Sequence, residues 1–195
     1  MPRSGAEARR RLQQAALELY RERGYDRTTA AEIAARAGVN ERTFFRHFRD
    51  KREVLFDGEA RLRAVLIRAV AEAPGDLDPL EVLHAAFREA TPLLEENRSF
   101  SEPRLAVIAA TPALRERELA KAASLSEALA HALRERNLPT RQSRLAAHAG
   151  WAAFSEAVDA WVESPSTDLR THLEHAFDEL RTLLRPRLGA SGAGR

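Results

Sequence analysis

The sequence predicts an all-α protein in which a short three-helix head, carrying a helix-turn-helix, precedes a larger helical body. Alanine and leucine recur at helical spacing while β-branched residues are few. No stretch alternates polar and apolar residues for long enough to suggest a strand. Nine glycines and nine prolines suit a compact helical chain better than a turn-rich sheet protein. With 195 residues, 44% of them hydrophobic, such a chain buries roughly 70% of its unfolded surface, enough for one or two domains.

A first helix is expected from about Ser4 to Arg23, because Leu12, Ala15, Ala16, Leu19 and Tyr20 line one face. Gly24 stops it, since glycine accepts the left-handed conformation just past a helix end, and Tyr25 can fold back on the preceding turn. Thr29-Ala30-Ala31-Glu32 is a capping box that opens a short second helix reaching about Ala37. Gly38 and the apolar plug Val39 make a turn, after which Asn40 caps a third helix from Glu41 to about Phe48. Phe44 and Phe48, four residues apart, anchor this helix inward. Arg42 and Arg46 then lie on the opposite side, with Phe45 and Arg49 on one flank and Thr43 and His47 on the other.

Asp50-Lys51-Arg52-Glu53 reads as another capping box, opening a continuous fourth helix to about Ala73. Asp78-Pro79 starts a fifth, which Thr91-Pro92 should kink or restart. A loop is expected over Asn97 to Ser101, a short helix from Pro103 to Ala110 and a long one from Pro112 to Arg136. In the last two helices apolar residues repeat at steps of four and three: Ala147, Trp151, Phe154, Val158 and Trp161, then Leu169, Leu173, Ala176 and Leu180, widened by Phe177. Such helices need partners on more than one face. A two-fold four-helix interface supplies them, with Val158, Trp161, Leu173, Ala176, Phe177 and Leu180 as expected dimer contacts; a single-chain core is the alternative use of the same stripe. The expected division is residues 1–50 for the head, 51–188 for the body and 189–195 for a disordered Gly/Ala/Ser-rich tail.

Charge is distributed unevenly. Residues 1–52 hold 13 basic against 7 acidic side chains, a net of +6, and the rest of the chain sums to −4. A basic head without a strongly apolar face points to nucleic acid ahead of an anionic membrane. No apolar run approaches the ~18 to 20 residues of a membrane helix, and the mean hydropathy is −0.43. The absence of cysteine excludes a disulfide framework, a thiol nucleophile and a zinc-thiolate site. With no leader-like apolar block after Met1, a cytoplasmic address is expected. Lys51 and Lys121 are the only lysines, a bias ascribed to codon composition.

The outward face of the third helix suits a major groove. Arginine forks onto guanine O6 and N7, Phe45 or the Thr43 methyl can meet a thymine methyl, and Glu41 can accept from cytosine N4. Lys51, and Thr28 and Thr29 with the first amides of the second helix, are candidate phosphate ligands. His84, Phe87, His148, Trp151 and Phe154 are candidate lining for a pocket in the body, with Arg88, Arg115 or Arg117 available to a phosphorylated ligand. The competing class, a metal-dependent helix-bundle enzyme, rests on Glu81-x-x-His84, which occurs once where such a site needs a second copy and two further carboxylates. His172-x-x-His175 is equally isolated. No Gly-rich phosphate loop or nucleophile elbow is present, so no catalytic residue, metal or cofactor is expected.

The segments GYDRTT, EIAARAGV and RTFFRHF, with the lysine at 51, closely resemble in order and spacing the DNA-binding head of the TetR family of transcriptional regulators. The resemblance implies operator contacts through Thr29, Ala31, Glu41, Arg42, Thr43, Phe45, Arg46, His47 and Lys51. Two departures stand out. Phe45 occupies a position where the family commonly has tyrosine, which removes a hydroxyl contact to phosphate. Phe48-Arg49-Asp50-Lys51 replaces the common Phe-Pro-Ser-Lys, with Asp50 able to cap as serine does. The stretches KREVLF and IAATPALRERELAKAASLSEALAHAL look like the branch that includes the mycofactocin-type regulator, whose body implies an acyl-CoA-like ligand. The family implies a homodimeric repressor on a palindromic double-stranded operator, released by a small hydrophobic effector, with no membrane partner.

Overall fold

The first helix, α1 (Arg3–Arg23), ends where Gly24 takes φ +87°, and the Tyr25 ring packs edge-on against Tyr20 at 5.2 Å. The computed structural model describes residues 3–96, 98–164 and 166–185. Among them the chain forms nine α-helices, one 3-10 turn and no strand. Thr29 opens α2 (Ala30–Arg36) through a complete capping box with Glu32, and Asn40 opens α3 (Glu41–His47) by accepting from the Thr43 amide at 2.8 Å. Between them Gly38 adopts φ +69°, a left-handed conformation that favours glycine at this turn.

The fourth helix is not continuous. Asp50 Oδ1 accepts from the amides of Arg52 at 2.7 Å and Glu53 at 3.2 Å, yet the Glu53 carboxylate turns away to Arg117 instead of closing a capping box. The chain makes a 3-10 turn, Glu53–Phe56, and restarts as α4 (Glu59–Glu72). Val54, Leu55 and Phe56 are all buried in this turn. Asp57, at the restart, is held by Arg9 and Gln13 of α1.

Helix α5 (Pro79–Glu95) continues through Pro92 without restarting. Proline at 92 leaves the Arg88 carbonyl without its helical amide, and the buried Thr91 hydroxyl donates to that oxygen at 3.0 Å. The loop expected before Pro103 is instead the opening of α6 (Arg98–Ala110). Helices α7 (Pro112–Glu135), α8 (Thr140–Glu163) and α9 (Leu169–Leu184) follow the sequence pattern. Asn137 supplies the left-handed residue after α7, at φ 66°, and the Leu138 amide returns to the Leu133 carbonyl. The tail expected over residues 189–195 lies outside the described residues.

Buried side chains gather into two clusters. One joins α1, α2 and α3 to Val54, Leu55 and Phe56, and takes in Val107, Ile108 and Leu114 from α6 and α7. The apolar core of the head therefore runs past residue 50. The other fills the body between α4, α5, α7, α8 and α9, centred on Leu83, Phe87, Phe154, Trp161 and Phe177. Gly150 lets α8 approach α5 closely: a Cβ there would meet Leu83 Cδ1 at 2.9 Å and Leu83 Cβ at 3.3 Å.

Two stability measurements test this packing. Thr91→Val should lower the unfolding free energy by about 1 kcal/mol or more, because it strands the Arg88 carbonyl. In a Pro92→Ala background, where residue 92 regains its amide, the same change should cost clearly less; equal costs would contradict the proposed substitution of one donor for another. Gly150→Val should destabilise by roughly 1–3 kcal/mol through overpacking, read from urea melts with far-ultraviolet circular dichroism.

Candidate nucleic-acid interface and internal cleft

The roll of α3 is set by its anchors. Phe44 and Phe48 are buried, with Phe44 fully enclosed and the two rings 5.8 Å apart. Glu41, Arg42, Phe45 and Arg46 are exposed on the other side, and Thr43 is half-buried. Phe45 stands 53% exposed, an unusual surface for an aromatic ring. Ala31 and Thr29 are exposed at the start of α2. Thr29 Oγ1 already serves the capping box, bonding Glu32 Oε2 at 2.7 Å, so its remaining lone-pair and the neighbouring amides define what it can offer.

Three expected site residues are partly or wholly engaged within the protein itself. Thr28 is buried, its hydroxyl donating to the Gly24 carbonyl at 2.9 Å, and so cannot present that hydroxyl to a phosphate. Lys51 Nζ donates to the carbonyls of Tyr25 at 2.8 Å and Thr28 at 2.9 Å and sits 4.1 Å from the Tyr25 ring centre. It ties the α1–α2 turn to the segment after α3, while Tyr20 donates back to the Lys51 carbonyl at 2.6 Å. One ammonium N–H is left for any outside ligand. His47 is half-buried with no partner for its buried Nε2, beside Phe48 and facing the groove that also holds Arg9 and Asp57. Burial, then Arg46 and Arg9, pushes its imidazole below the usual histidine range. The imidazole lines that groove together with residues of α4 and Arg117.

A cleft of about 870 Å³ opens between head and body, within the roughly 300–1,000 Å³ span of small-molecule sites. Its apolar wall includes Leu62, Leu94, Phe100, Trp151, Phe154 and Val158, and Leu55 and Phe56 close its head side. Trp151 and Phe154 both line this cleft. Phe87 is not at the surface of the cleft: it is fully buried behind Phe154, the two rings stacked at 4.5 Å. His84 lies elsewhere, stacked on Phe177 at 4.7 Å with its Nδ1 at 3.2 Å from Arg181. His148 is exposed on the outer side of α8. Arg117 is held by Glu53 and Glu59, at 2.8 Å and 2.7 Å.

Sequence reasoning missed Arg104 and Lys121, which with Arg117 join the two halves. Arg104 of α6 donates from Nε to the Leu55 carbonyl, and Arg104 and Lys121 both contact Glu118. Arg104, Arg117 and Lys121 surround the buried Phe56 ring at 5.3, 4.9 and 6.0 Å from its centre. The available signal was the scarcity of lysine: both Lys51 and Lys121 occupy specific, largely enclosed positions in a chain that otherwise uses arginine.

Three of the expected dimer contacts need correction. Trp161, Leu173 and Phe177 are buried within the single chain, so they cannot face a partner. Val158 borders the cleft, and Ala176 and Leu180 are half-buried against the body core. The exposed apolar residues of these helices are Leu145 on α8 and Leu183 and Leu184 on α9. Glu81, half of the isolated Glu-x-x-His pair, accepts from the Asp78 amide at 2.9 Å in the capping box of α5. Among the described residues no group of metal-ligating side chains is assembled, and no helix is long and apolar enough to cross a membrane.

Comparison with known proteins agrees with this architecture. Residues 12–57 match the signature of bacterial regulatory proteins of the tetR family, and residues 77–185 match the MftR C-terminal domain. The HTH-type transcriptional regulator TcmR of Streptomyces glaucescens is 38% identical over 73 residues, 37% of this chain and 32% of that protein. The match thus spans about a third of the relative's length. NalD, the secondary repressor of the MexAB-OprM efflux pump in Pseudomonas aeruginosa, shares the fold at 23% identity and a TM-score of 0.63, over 91% of this chain and 96% of that one. Thermus thermophilus FadR, a repressor solved with lauroyl-CoA, is 27% identical with a TM-score of 0.51, over 95% of this chain and all of the other. These relatives are regulators and not enzymes. With a reading head and a body that both match, the chain belongs to the TetR family of transcriptional regulators, and its body is of the mycofactocin-regulator type.

Proposed function

We propose that this protein is a repressor that binds a palindromic operator as a homodimer and is released when a small hydrophobic effector enters the cleft. The observation that carries the reading is the exposed set Arg42, Phe45 and Arg46, with Thr43 half-buried beside them, held outward by the buried Phe44 and Phe48. Arg42 and Arg46 are one turn apart, so both can reach guanine edges along one groove, with Phe45 set to meet a thymine methyl. Thr29, Ala31, Glu41 and the remaining N–H of Lys51 flank this strip and suit backbone contacts or a cytosine edge. A dimer would carry two such heads about 34 to 36 Å apart, or a multiple, to enter successive grooves.

For the dimer, we assign the contact to the outer faces of α8 and α9. Leu145, Leu183 and Leu184 are exposed there, and a short joint between the two helices puts the start of α8 beside the end of α9. An isologous four-helix contact covers both patches at once. Residues 1–57 would act as the reading unit and the helices from α4 onward as the sensing and pairing unit.

For release, the cleft supplies leverage because its head side is the 3-10 turn. A ligand against Leu55 and Phe56 bears directly on the joint between α3 and α4, and Arg104 links that turn to α6. The ligand can shift the equilibrium between two head spacings only by its differential affinity for them. Lauroyl-CoA in Thermus thermophilus FadR makes an acyl chain a reasonable class for the apolar part of the effector.

Replacing both Arg42 and Arg46 by alanine should weaken operator binding by about a hundredfold or more, given roughly 1–3 kcal/mol of discrimination for each bidentate base contact. Helicity and dimer mass should stay unchanged; retained sequence-specific binding would overturn the assignment. Electrophoretic mobility shifts on operators selected from random DNA provide the readout. Leu145→Glu with Leu183→Glu should yield a folded monomer in sedimentation analysis, and an unchanged dimer would move the interface elsewhere.

A further inference from the structure

Three arginines, Arg9, Arg10 and Arg11, follow one another on α1, yet only the first is turned toward the joint between head and body. Arg10 and Arg11 are exposed, whereas Arg9 is half-buried and shares a groove with His47, Phe48 and Asp57. Its Nε donates to Asp57 Oδ2 at 2.5 Å and its Nη2 to Asp57 Oδ1, a fork on both carboxylate oxygens. Gln13, one turn further along α1, donates to Asp57 Oδ2 at 3.2 Å. The same guanidinium lies over the Phe48 ring, 5.0 Å from its centre. One side chain therefore joins the second anchor of the reading helix to the residue before the restart of α4.

Neither Phe48 nor Asp57 lies within a helix. Phe48 follows α3 in extended backbone, at φ −136° and ψ 136°, and Asp57 stands between the 3-10 turn and α4. A seven-residue helix pivoting on Phe44 keeps its angle only if its second anchor is fixed. The side chains of Arg9 and Asp57 are 42% and 16% exposed, so the ion pair is partly screened and adds little to stability. What it contributes is direction, because a planar fork on a carboxylate admits few geometries.

We propose that Arg9 and Asp57 are positioning residues for operator binding: the pair holds Phe48 between α1 and α4 and so sets the angle at which the outward face of α3 enters the groove of the DNA. Neither side chain needs to touch DNA for this. The inference rests on α3 as the reading helix and not on the cleft as the effector site. Asp57 and Gln13 also border the cleft, so the clamp stands between that cavity and the reading helix.

Asp57→Ala separates this role from simple charge. The substitution removes a carboxylate beside the head, so an effect of net charge alone predicts tighter binding to any DNA. A positioning role predicts the reverse on the operator: about tenfold weaker binding, the cost of one misaligned base contact, with binding to unrelated duplex unchanged or slightly tighter. Asp57→Glu, which can still receive the fork, should recover most of the loss. Arg9→Met should weaken operator binding to a similar degree without lowering the salt slope, and the variant carrying both Arg9→Met and Asp57→Ala should be no weaker than the worse single one. Mobility shifts of the full-length protein on a selected operator and on unrelated duplex, at several salt concentrations and well below the melting temperature of each variant, give these readings. Operator affinity unchanged or raised in Asp57→Ala overturns the proposal. So does a salt slope smaller by about 0.9 in Arg9→Met, which would make Arg9 a phosphate ligand. Equal losses on operator and unrelated duplex would mean a damaged head and overturn it as well. Should Arg9→Met fail to fold, the two Asp57 variants decide the question.

Discussion

The burial of Phe44 and Phe48 is the constraint on which the reading surface depends. A helix of seven residues has little stability of its own, so its orientation comes from the core that its side chains enter. Two aromatic anchors one turn apart leave α3 a single roll, and that roll decides which residues face solvent. Arg42, Phe45 and Arg46 are outward for this reason and not because of any preference of their own. The same core is closed by Ile33, Ala34 and Leu12, and by the Lys51 bridge to the Tyr25 and Thr28 carbonyls. A lysine at 51 thus contributes first to the rigidity of the head and only then, through one remaining N–H, to any phosphate.

A second constraint joins the head to the body. Phe56 is buried under three cations, each of which is pinned by something else: Arg104 by the Leu55 carbonyl and Glu118, Lys121 by Glu118, Arg117 by Glu53 and Glu59. The turn Glu53–Phe56 is therefore coupled to α6 and α7 through side chains and not through a continuous helix. The body reaches the head core directly as well, with Val107 and Ile108 packed in the same cluster as Leu12 and Phe44. A regulator built this way can feel a change in the cleft at the one segment that leads out of its reading helix.

Much of this was legible in the sequence. Local signals that operate within one turn held: the Thr29–Glu32 capping box, Gly24 and Gly38 in left-handed conformations, Asn40 as a cap, and the inward pair Phe44 and Phe48. What escaped depended on tertiary contacts. Periodicity gives the apolar stripe of α8 and α9 but not which body covers it, so Trp161, Leu173 and Phe177 read as dimer contacts when the chain's own core already encloses them. The fourth helix read as continuous because Asp50–Glu53 resembles a capping box; in the fold Glu53 instead pairs with Arg117 and the chain makes a 3-10 turn. Pro92 read as a kink or restart because the compensating Thr91 hydroxyl bond cannot be inferred from composition. The Arg104–Glu118–Lys121 cluster spans two helices, with only Glu118 and Lys121 at helical spacing, so periodicity does not bring Arg104 to it.

The most direct test of the central claim is a methylation-protection footprint of the protein on its operator. Dimethyl sulfate attacks guanine N7 in the major groove and adenine N3 in the minor groove, so it separates the two modes of approach. An outward α3 face predicts protection of guanine N7 in two patches about ten base pairs apart, or a multiple of that. Protection confined to adenine N3, or a single unrepeated patch, would contradict it.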